Sequence, residues 1–281
     1  QMAERNRVRW EGRGLHTGGF CAAEVSGSDL PGLRFTFPDE ASFPVEEAIA
    51  SGDGRGSTLS FPNGITIRTV EHLFSALAGI GIWNAEIRIE GGEVPALDGS
   101  SGDFARALLS FERDAAGKVQ PLRIDAPVSV RDPRKGASVV ALPAEHFGVT
   151  CVIDYPGTWI GVQAFTSERM DRKAYLEEIA QARTFCLESE IEALRRAGLG
   201  RGGSLENTLV IGPEGPLNPE ALAWPNGCVR HKVLDLIGDL ALLGRPIAAH
   251  LLAFRSGHAL HLSLVSRLKR ILKSPNRETR R

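Results

Sequence analysis

The chain has 281 residues, of which 42% are hydrophobic and 24% charged, the composition of a folded globular protein with room for one large or two modest domains. Lysine and arginine number 33 against 34 aspartates and glutamates, so no global field draws nucleic acid or an anionic membrane to it, and a charged ligand has to be held by local groups. Glycine and proline, 31 and 16 residues, break the chain into many short elements, which predicts a mixed α+β fold rather than a few long helices.

Alternation of apolar and polar residues over 32–37 and 85–90 predicts strands covered on one face. Between them, residues 69–77 read as a helix, with Thr69 as its cap, Glu71 in the first turn and Val70, Leu73, Phe74 and Leu77 as its apolar stripe. Gly79, Gly81 and Asn84 stop it. The charged, glycine-containing segment 111–118, followed by strand patterning from Leu122, places a domain boundary near residue 120. The expected domains are an N-terminal 1–120 and a C-terminal 121–281 with a basic tail.

The second half reads as strands at 138–142 and 149–155, helices at 172–183 and 188–197, a glycine-rich loop at 198–203 and a strand at 208–211. A helix at 229–243 and, after Gly244-Arg245-Pro246, a strand at 247–254 follow. These two apolar stretches are interrupted by Asp239 and His250 and fall short of the roughly 20 apolar residues of a bilayer span. Helix, glycine turn and strand recur in both halves, which suggests two similar α+β layers packed face to face. The tail 267–281 carries seven Lys or Arg and one Glu and is expected to be disordered and solvated, with transient contact to an anionic membrane surface as the alternative.

Gly198, Gly200 and Gly203 spell G-x-G-x-x-G, but that loop follows a helix and leads to a strand, the reverse of the order in dinucleotide-binding folds. A flexible connection is the expectation. His231, Asp235 and Asp239 recur at i, i+4 and i+8 and form one polar stripe on an otherwise apolar helix. His231 and Asp235 are within reach of one ion, whereas Asp239 is about 12 Å along the helix from His231 and orients something else. Alone, such a stripe reads as a solvent-facing one. Glu71-His72 alone reads as a capping glutamate with an incidental histidine, Thr184 as a helix-end cap and His258 as a loop histidine.

Their order along the chain carries more. The segments Gly12-Arg13-Gly14-Leu15-His16-Thr17-Gly18, Thr69-Val70-Glu71-His72, Asp98-Gly99-Ser100, Ala182-Arg183-Thr184-Phe185, Ser204-Leu205-Glu206-Asn207, Val229 through Asp235, and Ser256-Gly257-His258 closely resemble the UDP-3-O-acyl-N-acetylglucosamine deacetylases, the zinc-dependent deacetylases of lipid A synthesis. The resemblance runs from about residue 7 to residue 268. It implies two α+β domains of matching topology, each a mixed sheet with helices on one face, packed as layers with the active site between them.

By motif position the resemblance implies His72, His231 and Asp235 as metal ligands, a set that leaves a fourth position open as a catalytic zinc site requires; ferrous iron is the alternative metal. It implies Glu71 as general base toward the attacking water, Thr184 and Lys232 as stabilisers of the oxyanion, and His258, oriented by Asp239, as the acid that protonates the leaving amine. The implied substrate is an acylated UDP-sugar, and the products are acetate and a free glucosamine amine. Residues 153–165, with Tyr155 and Trp159, together with Phe185, are candidates for an apolar groove that takes the acyl chain, with ordinary core as the equal alternative. Arg255 is a candidate partner for the diphosphate, against the ordinary reading of a lone surface arginine.

Three segments depart from the family pattern: Asp154-Tyr155-Pro156-Gly157 stands where many members carry Asp-Phe-x-His-Pro, Trp83 where an Asp is usual, and Gly227-Cys228 where an acidic-aromatic pair is usual. His16 is read as a turn-stabilising residue with no metal role. Two rival readings share these features: a non-haem Fe(II) oxygenase, which has a two-His-one-carboxylate set, and a non-catalytic or altered-specificity paralogue that binds an acylated sugar nucleotide. The ligand pair on a helix and the adjacent Glu71 argue against the oxygenase, and the presence of both Glu71 and His258 argues against the paralogue. Four scattered cysteines without a Cys-x-x-Cys pair, and a polar start without an apolar run, lead to the expectation of a cytoplasmic protein, with peripheral contact at the inner face of the membrane as the alternative; a monomer is expected.

Overall fold

The computed structural model describes residues 7–28, 30–52, 55–111 and 119–273. In the first half, β1 (Arg7–Arg13), β2 (Phe20–Gly27), β3 (Leu33–Thr36), β4 (Ser42–Pro44) and β5 (Ala85–Glu90) form a sheet in the order β1-β2-β5-β3-β4. In the second, β6 (Val128–Asp132), β7 (Ala137–Pro143), β8 (Gly148–Tyr155), β9 (Gly161–Ser167) and β10 (Ile247–Phe254) follow the order β6-β7-β10-β8-β9. The two orders are the same path. Along each path one pair is parallel, β3 with β5 and β8 with β10, and the other neighbours are antiparallel; off the second path, Leu122–Arg123 also pairs in parallel with β10. The recurrence of helix, glycine turn and strand is thus a repeated topology, although the charged segment at the expected domain boundary, residues 112–118, lies outside the described residues.

Six helices are present among the described residues: α1 (Glu71–Ile80), α2 (Gly102–Leu108), α3 (Arg172–Glu178), α4 (Ile191–Arg196), α5 (Gly227–Ala241) and α6 (His258–Lys273). None is long and apolar enough to cross a membrane. Helices α1 and α2 lie on the first sheet, where Phe74 stacks on Phe35 with ring centroids 5.8 Å apart and Phe104 meets Trp10 edge-on at 5.0 Å. Helices α5 and α6 cover the second sheet, and the two helical layers meet where α1 packs on α5. At that crossing a Cβ on Gly238 would run into the carbonyl oxygen of Glu71, so glycine sets how closely the two helices approach. Gly238→Ala is expected to cost about 1–3 kcal/mol, the usual cost of overpacking a core. An unchanged denaturant midpoint would show that the helices part freely.

Two small sheets are inserted beside this crossing. Ile49–Gly52, Ser57–Ser60 and Thr66–Arg68 form an antiparallel set before α1. Phe185–Leu187 pairs in parallel with Leu209–Gly212 around α4.

Several local expectations are corrected. Thr69 does not cap α1: it stands at φ 58 and its hydroxyl donates to buried Glu93 at 2.9 Å, while Gly81 at φ 86 ends the helix with its N–H on the Leu77 carbonyl. The helix expected over 172–183 stops at Glu178, because the Ser101 N–H takes the Ala180 carbonyl and the Thr184 N–H takes that of Gly99, and the chain leaves through a turn closed by the Ala182 N–H on the Ile179 carbonyl. Helix α6 continues to Lys273, into the segment expected as a solvated tail from Arg267. Leu264, Val265 and Leu268 recur at helical spacing and are buried, and Arg267 donates to the Ser129 carbonyl at 2.9 Å. Residues 274–281 lie outside the described part. The glycine loop is a place of close backbone approach: the Gly202 N–H binds the Leu15 carbonyl at 3.0 Å, and a Cβ on Gly202 would meet the Gly14 carbonyl.

Candidate active site

The crossing of α1 and α5 brings together residues 159 or more positions apart in sequence. His72, in the first turn of α1, faces His231 and Asp235 on α5, with the two imidazole centroids 5.2 Å apart and nearly perpendicular at 83°. Asp235 Oδ1 lies 3.4 Å from His231 Nε2 and 3.9 Å from His72 Nε2. One donor atom from each of the three buried residues falls within 4.8 Å of the others. His231 Nδ1–H donates to the Ala182 carbonyl at 3.0 Å, which fixes the tautomer and leaves the Nε2 lone pair facing the other two. That carbonyl is free because the chain has left helix α3.

Burial, reinforced by the neighbouring His231, pushes the His72 imidazole down to about 3, and burial also holds His231 below its ordinary value. Both rings are therefore neutral, the state that ligates a metal. Burial works against an ionised Asp235, but Lys232 and the histidines outweigh it and hold the carboxyl well below the usual range. Lys232 Nζ donates to Asp235 Oδ2 at 2.9 Å, so Oδ1 is the oxygen left for a cation. Burial disfavours the charge of Lys232 as well, yet Asp235 raises it above an ordinary lysine. Two neutral nitrogens and one carboxylate oxygen on one side of an open space fit a catalytic zinc.

Glu71 and His258 flank this set. Glu71 Oε2 accepts the Ser57 N–H at 3.0 Å, and Oε1 faces His258 Nε2 at 3.9 Å. Burial raises the Glu71 carboxyl to about 7, aided by Asp239 and Asp235 and opposed by His258. His258, the first residue of α6, donates from Nδ1 to Asp239 Oδ2 at 2.9 Å and holds Nε2 3.7 Å from Asp235 Oδ2. Burial disfavours its cation, but Asp239, Asp235 and Glu71 outweigh that and lift it to about 10.

Asp239, fully buried, also accepts from Ser57 Oγ and from His261 Nδ1. The donor atoms of Asp239, His258 and His261 are close enough for a second metal cluster. The two ring N–H bonds to a single oxygen instead make it a hydrogen-bonded group. Sequence reading missed Ser57 and His261. His261 lies three residues beyond His258, a spacing that signals a shared face only once α6 is known to be a helix. Ser57 carries no local signal, since it acts across the inserted sheet.

A cavity of about 780 Å³ opens onto these groups. Beyond Glu71, His72, His231, Lys232, Asp235 and His258 its wall becomes apolar along Phe185, Ile191, Leu194, Leu199, Leu205 and Val210, and basic along Arg131, Arg134, Lys135 and Arg255. Tyr155 lines it too, with its ring 5.7 Å from that of Phe185. The groove expected over 153–165 is otherwise displaced. Ile153, Ile160 and Phe165 are buried in the core, and Trp159 stands outside the lining, its indole against Gly215. The apolar wall comes from α4 and its flanking strands, whose faces could not be assigned before their packing was known. Thr184 lines the cavity, with its hydroxyl donating to the Gly99 carbonyl at 3.1 Å. Arg255, at φ 49, points its guanidinium to within 3.6 Å of Asp154. His16 lines the cavity as well, and its backbone N–H is held by Glu93 at 2.8 Å.

Residues 1–270 match the family described as "LpxC: UDP-3-O-acyl N-acetylglycosamine deacetylase". The chain belongs to this deacetylase family. It is 38% identical over 270 residues to the UDP-3-O-acyl-N-acetylglucosamine deacetylase of Myxococcus xanthus, covering 92% of this chain and 82% of the relative. The protein of the same name from Aquifex aeolicus is 36% identical over 265 residues, 94% of this chain and 91% of its own. That from Solibacter usitatus is 44% identical over 206 residues, 73% and 68% respectively. Of the departures from the family pattern, Trp83 packs against the core and Cys228 is buried near the start of α5. Only Tyr155 reaches the cavity.

Proposed function

We propose that this chain hydrolyses the acetamide of a UDP-3-O-(3-hydroxyacyl)-N-acetylglucosamine, giving acetate and the free amine, the committed step of lipid A synthesis. His72, His231 and Asp235 would hold zinc, with ferrous iron as the alternative occupant. The observation that carries the reading is the pairing of this donor set with Glu71 on one side and His258 on the other, at the end of a cavity with an apolar limb and a basic rim. When bound, zinc supplies Lewis acidity to the acetamide carbonyl and acidifies water.

The chain's own residues divide the proton work. Glu71, its second oxygen held by the Ser57 N–H, takes a proton from the attacking water through Oε1. His258 is cationic below about 10 and delivers the Nε2 proton to the leaving nitrogen, with Asp239 holding its ring by Nδ1. Lys232 brings positive charge to the developing oxyanion. The Thr184 hydroxyl joins it by turning from the Gly99 carbonyl, since a hydroxyl has one proton to give. The apolar limb along α4 takes the acyl chain, and the basic rim with Arg255 takes the diphosphate.

The test is acetate release from such a substrate by metal-stripped protein, with and without about one equivalent of zinc. Zinc-dependent release is the expected result. Stoichiometric zinc without release would favour the non-catalytic paralogue.

A further inference from the structure

Asp239 has more partners than the orientation of one histidine requires. Its Oδ2 accepts from His258 Nδ1 at 2.9 Å and from His261 Nδ1 at 2.7 Å, while its Oδ1 accepts from Ser57 Oγ. His261 is 1% exposed and does not line the cavity, so it cannot touch a substrate. Its other nitrogen, Nε2, lies 2.9 Å from Ser256 Oγ. With Nδ1 donating to Asp239, Nε2 is the acceptor and the serine hydroxyl the donor. Ser256 lies two residues before His258, in the turn that enters α6, and it lines the cavity. His261 therefore ties the carboxylate that holds the His258 ring to the loop that carries the His258 backbone.

Packing alone does not ask for an imidazole here. The buried neighbours on this face of α6 are Leu264, Val265 and Leu268, and a leucine would fill the place without two polar atoms to satisfy. What the imidazole adds is orientation. Without His261, Asp239 keeps one donor on each oxygen, His258 Nδ1–H and Ser57 Oγ; the second N–H on Oδ2 and the tie to Ser256 narrow its setting further.

We propose that His261 is a positioning residue for His258, bracing Asp239 and Ser256 so that His258 Nε2 is presented to the cavity. The kinetic part rests on the reading of His258 as the acid of the deacetylation. His261→Asn keeps a donor where Nδ1 stands and gives up the Ser256 contact. His261→Gln reaches Ser256 but withdraws the donor from Asp239, and His261→Leu gives up both.

Zinc-loaded wild type and variants are compared by steady-state kinetics and by histidine-ring ¹H–¹⁵N spectra, with the His258 Nδ1–H signal assigned by its loss in His258→Gln. The expected result for His261→Leu is a fall in kcat of about 10–100-fold, the range for removing an outer partner of a site, with KM unchanged within about twofold. His261→Asn recovers most of the rate and His261→Gln does not, the reverse of what side-chain volume predicts. The His258 ring proton stays sharp in His261→Asn and broadens or shifts in the other two. Wild-type kcat together with an unaltered His258 signal in His261→Leu would overturn the proposal. If the leucine variant does not fold, the Asn and Gln pair decides it, and equal behaviour of the two counts against it. Should wild type release no acetate, the deacetylase reading falls, while the ring spectra still decide the positioning.

Discussion

Glu71→Ala is expected to lower kcat by about 10²–10⁴-fold, the range for loss of a positioned general base, while the protein still binds one equivalent of zinc. The two readouts separate because Glu71 is not among the three converging donors: its carboxylate is held by the Ser57 N–H and faces His258. Measuring kcat and metal content on the same sample checks this. A near-normal rate would remove Glu71 as the base, and loss of the metal would make it a ligand. The pH profile gives a second check. Ionised Glu71 is the competent base, so the rate should rise as pH passes upward through its titration, near 7 in metal-free surroundings and lower beside a bound dication. Cationic His258 is the competent acid, so the rate should fall as pH passes upward through about 10. Glu71 and His258 interact, so the two limbs belong to the pair. Glu71→Gln should abolish the acid limb and leave the alkaline one.

His231→Ala is expected to weaken zinc binding by more than about 100-fold, beyond the roughly 10–100-fold lost with an outer hydrogen-bond partner. The variant leaves His72 and Asp235 as the remaining donors, and Asp235 then turns wholly to Lys232, which already holds its Oδ2 at 2.9 Å. Folding should survive, because the lost contact to the Ala182 carbonyl lies beside the cavity, where water can replace it. Zinc titration against a competing chelator, with a thermal melt as control, decides the matter. Unchanged stoichiometric zinc would break the ligand assignment, since a buried imidazole whose Nδ1 is already engaged has no other reason to present Nε2 to two further donors.

The parts of the site that were legible in the sequence were those with a short-range signature. His231 and Asp235 share a face because they are one helical turn apart, Glu71-His72 opens a helix whose stripe is plain, and the seven ordered segments pointed to the family. Helix α3 is shorter than its sequence predicts, since no residue in 179–183 forbids a helix. What stops it is a pair of hydrogen bonds to the loop around Gly99 and Ser101. Helix α6 is masked in the sequence by its basic residues, which obscure the helical spacing of Leu264, Val265 and Leu268. The stretch 153–165, where the sequence offers an acyl wall, is divided by the fold: Ile153, Ile160 and Phe165 serve the core, Trp159 and Val162 are exposed, and Tyr155 reaches the cavity.

The proposed metal-ligand and acid-base roles rest on the resemblance carried by the ordered segments; by itself the sequence determined most of the local things: where helices and strands lie and where their apolar stripes run. Those follow from backbone periodicity and side-chain type, which act over a few residues. The tertiary structure alone decided that Glu71 and His258 stand on either side of one donor set, that Ser57 and His261 share Asp239, and that α4 rather than β9 supplies the apolar wall. These depend on the crossing of α1 and α5 at Gly238 and on two inserted sheets. Such contacts join residues far apart in the chain, and their geometry is set by packing rather than by any local preference.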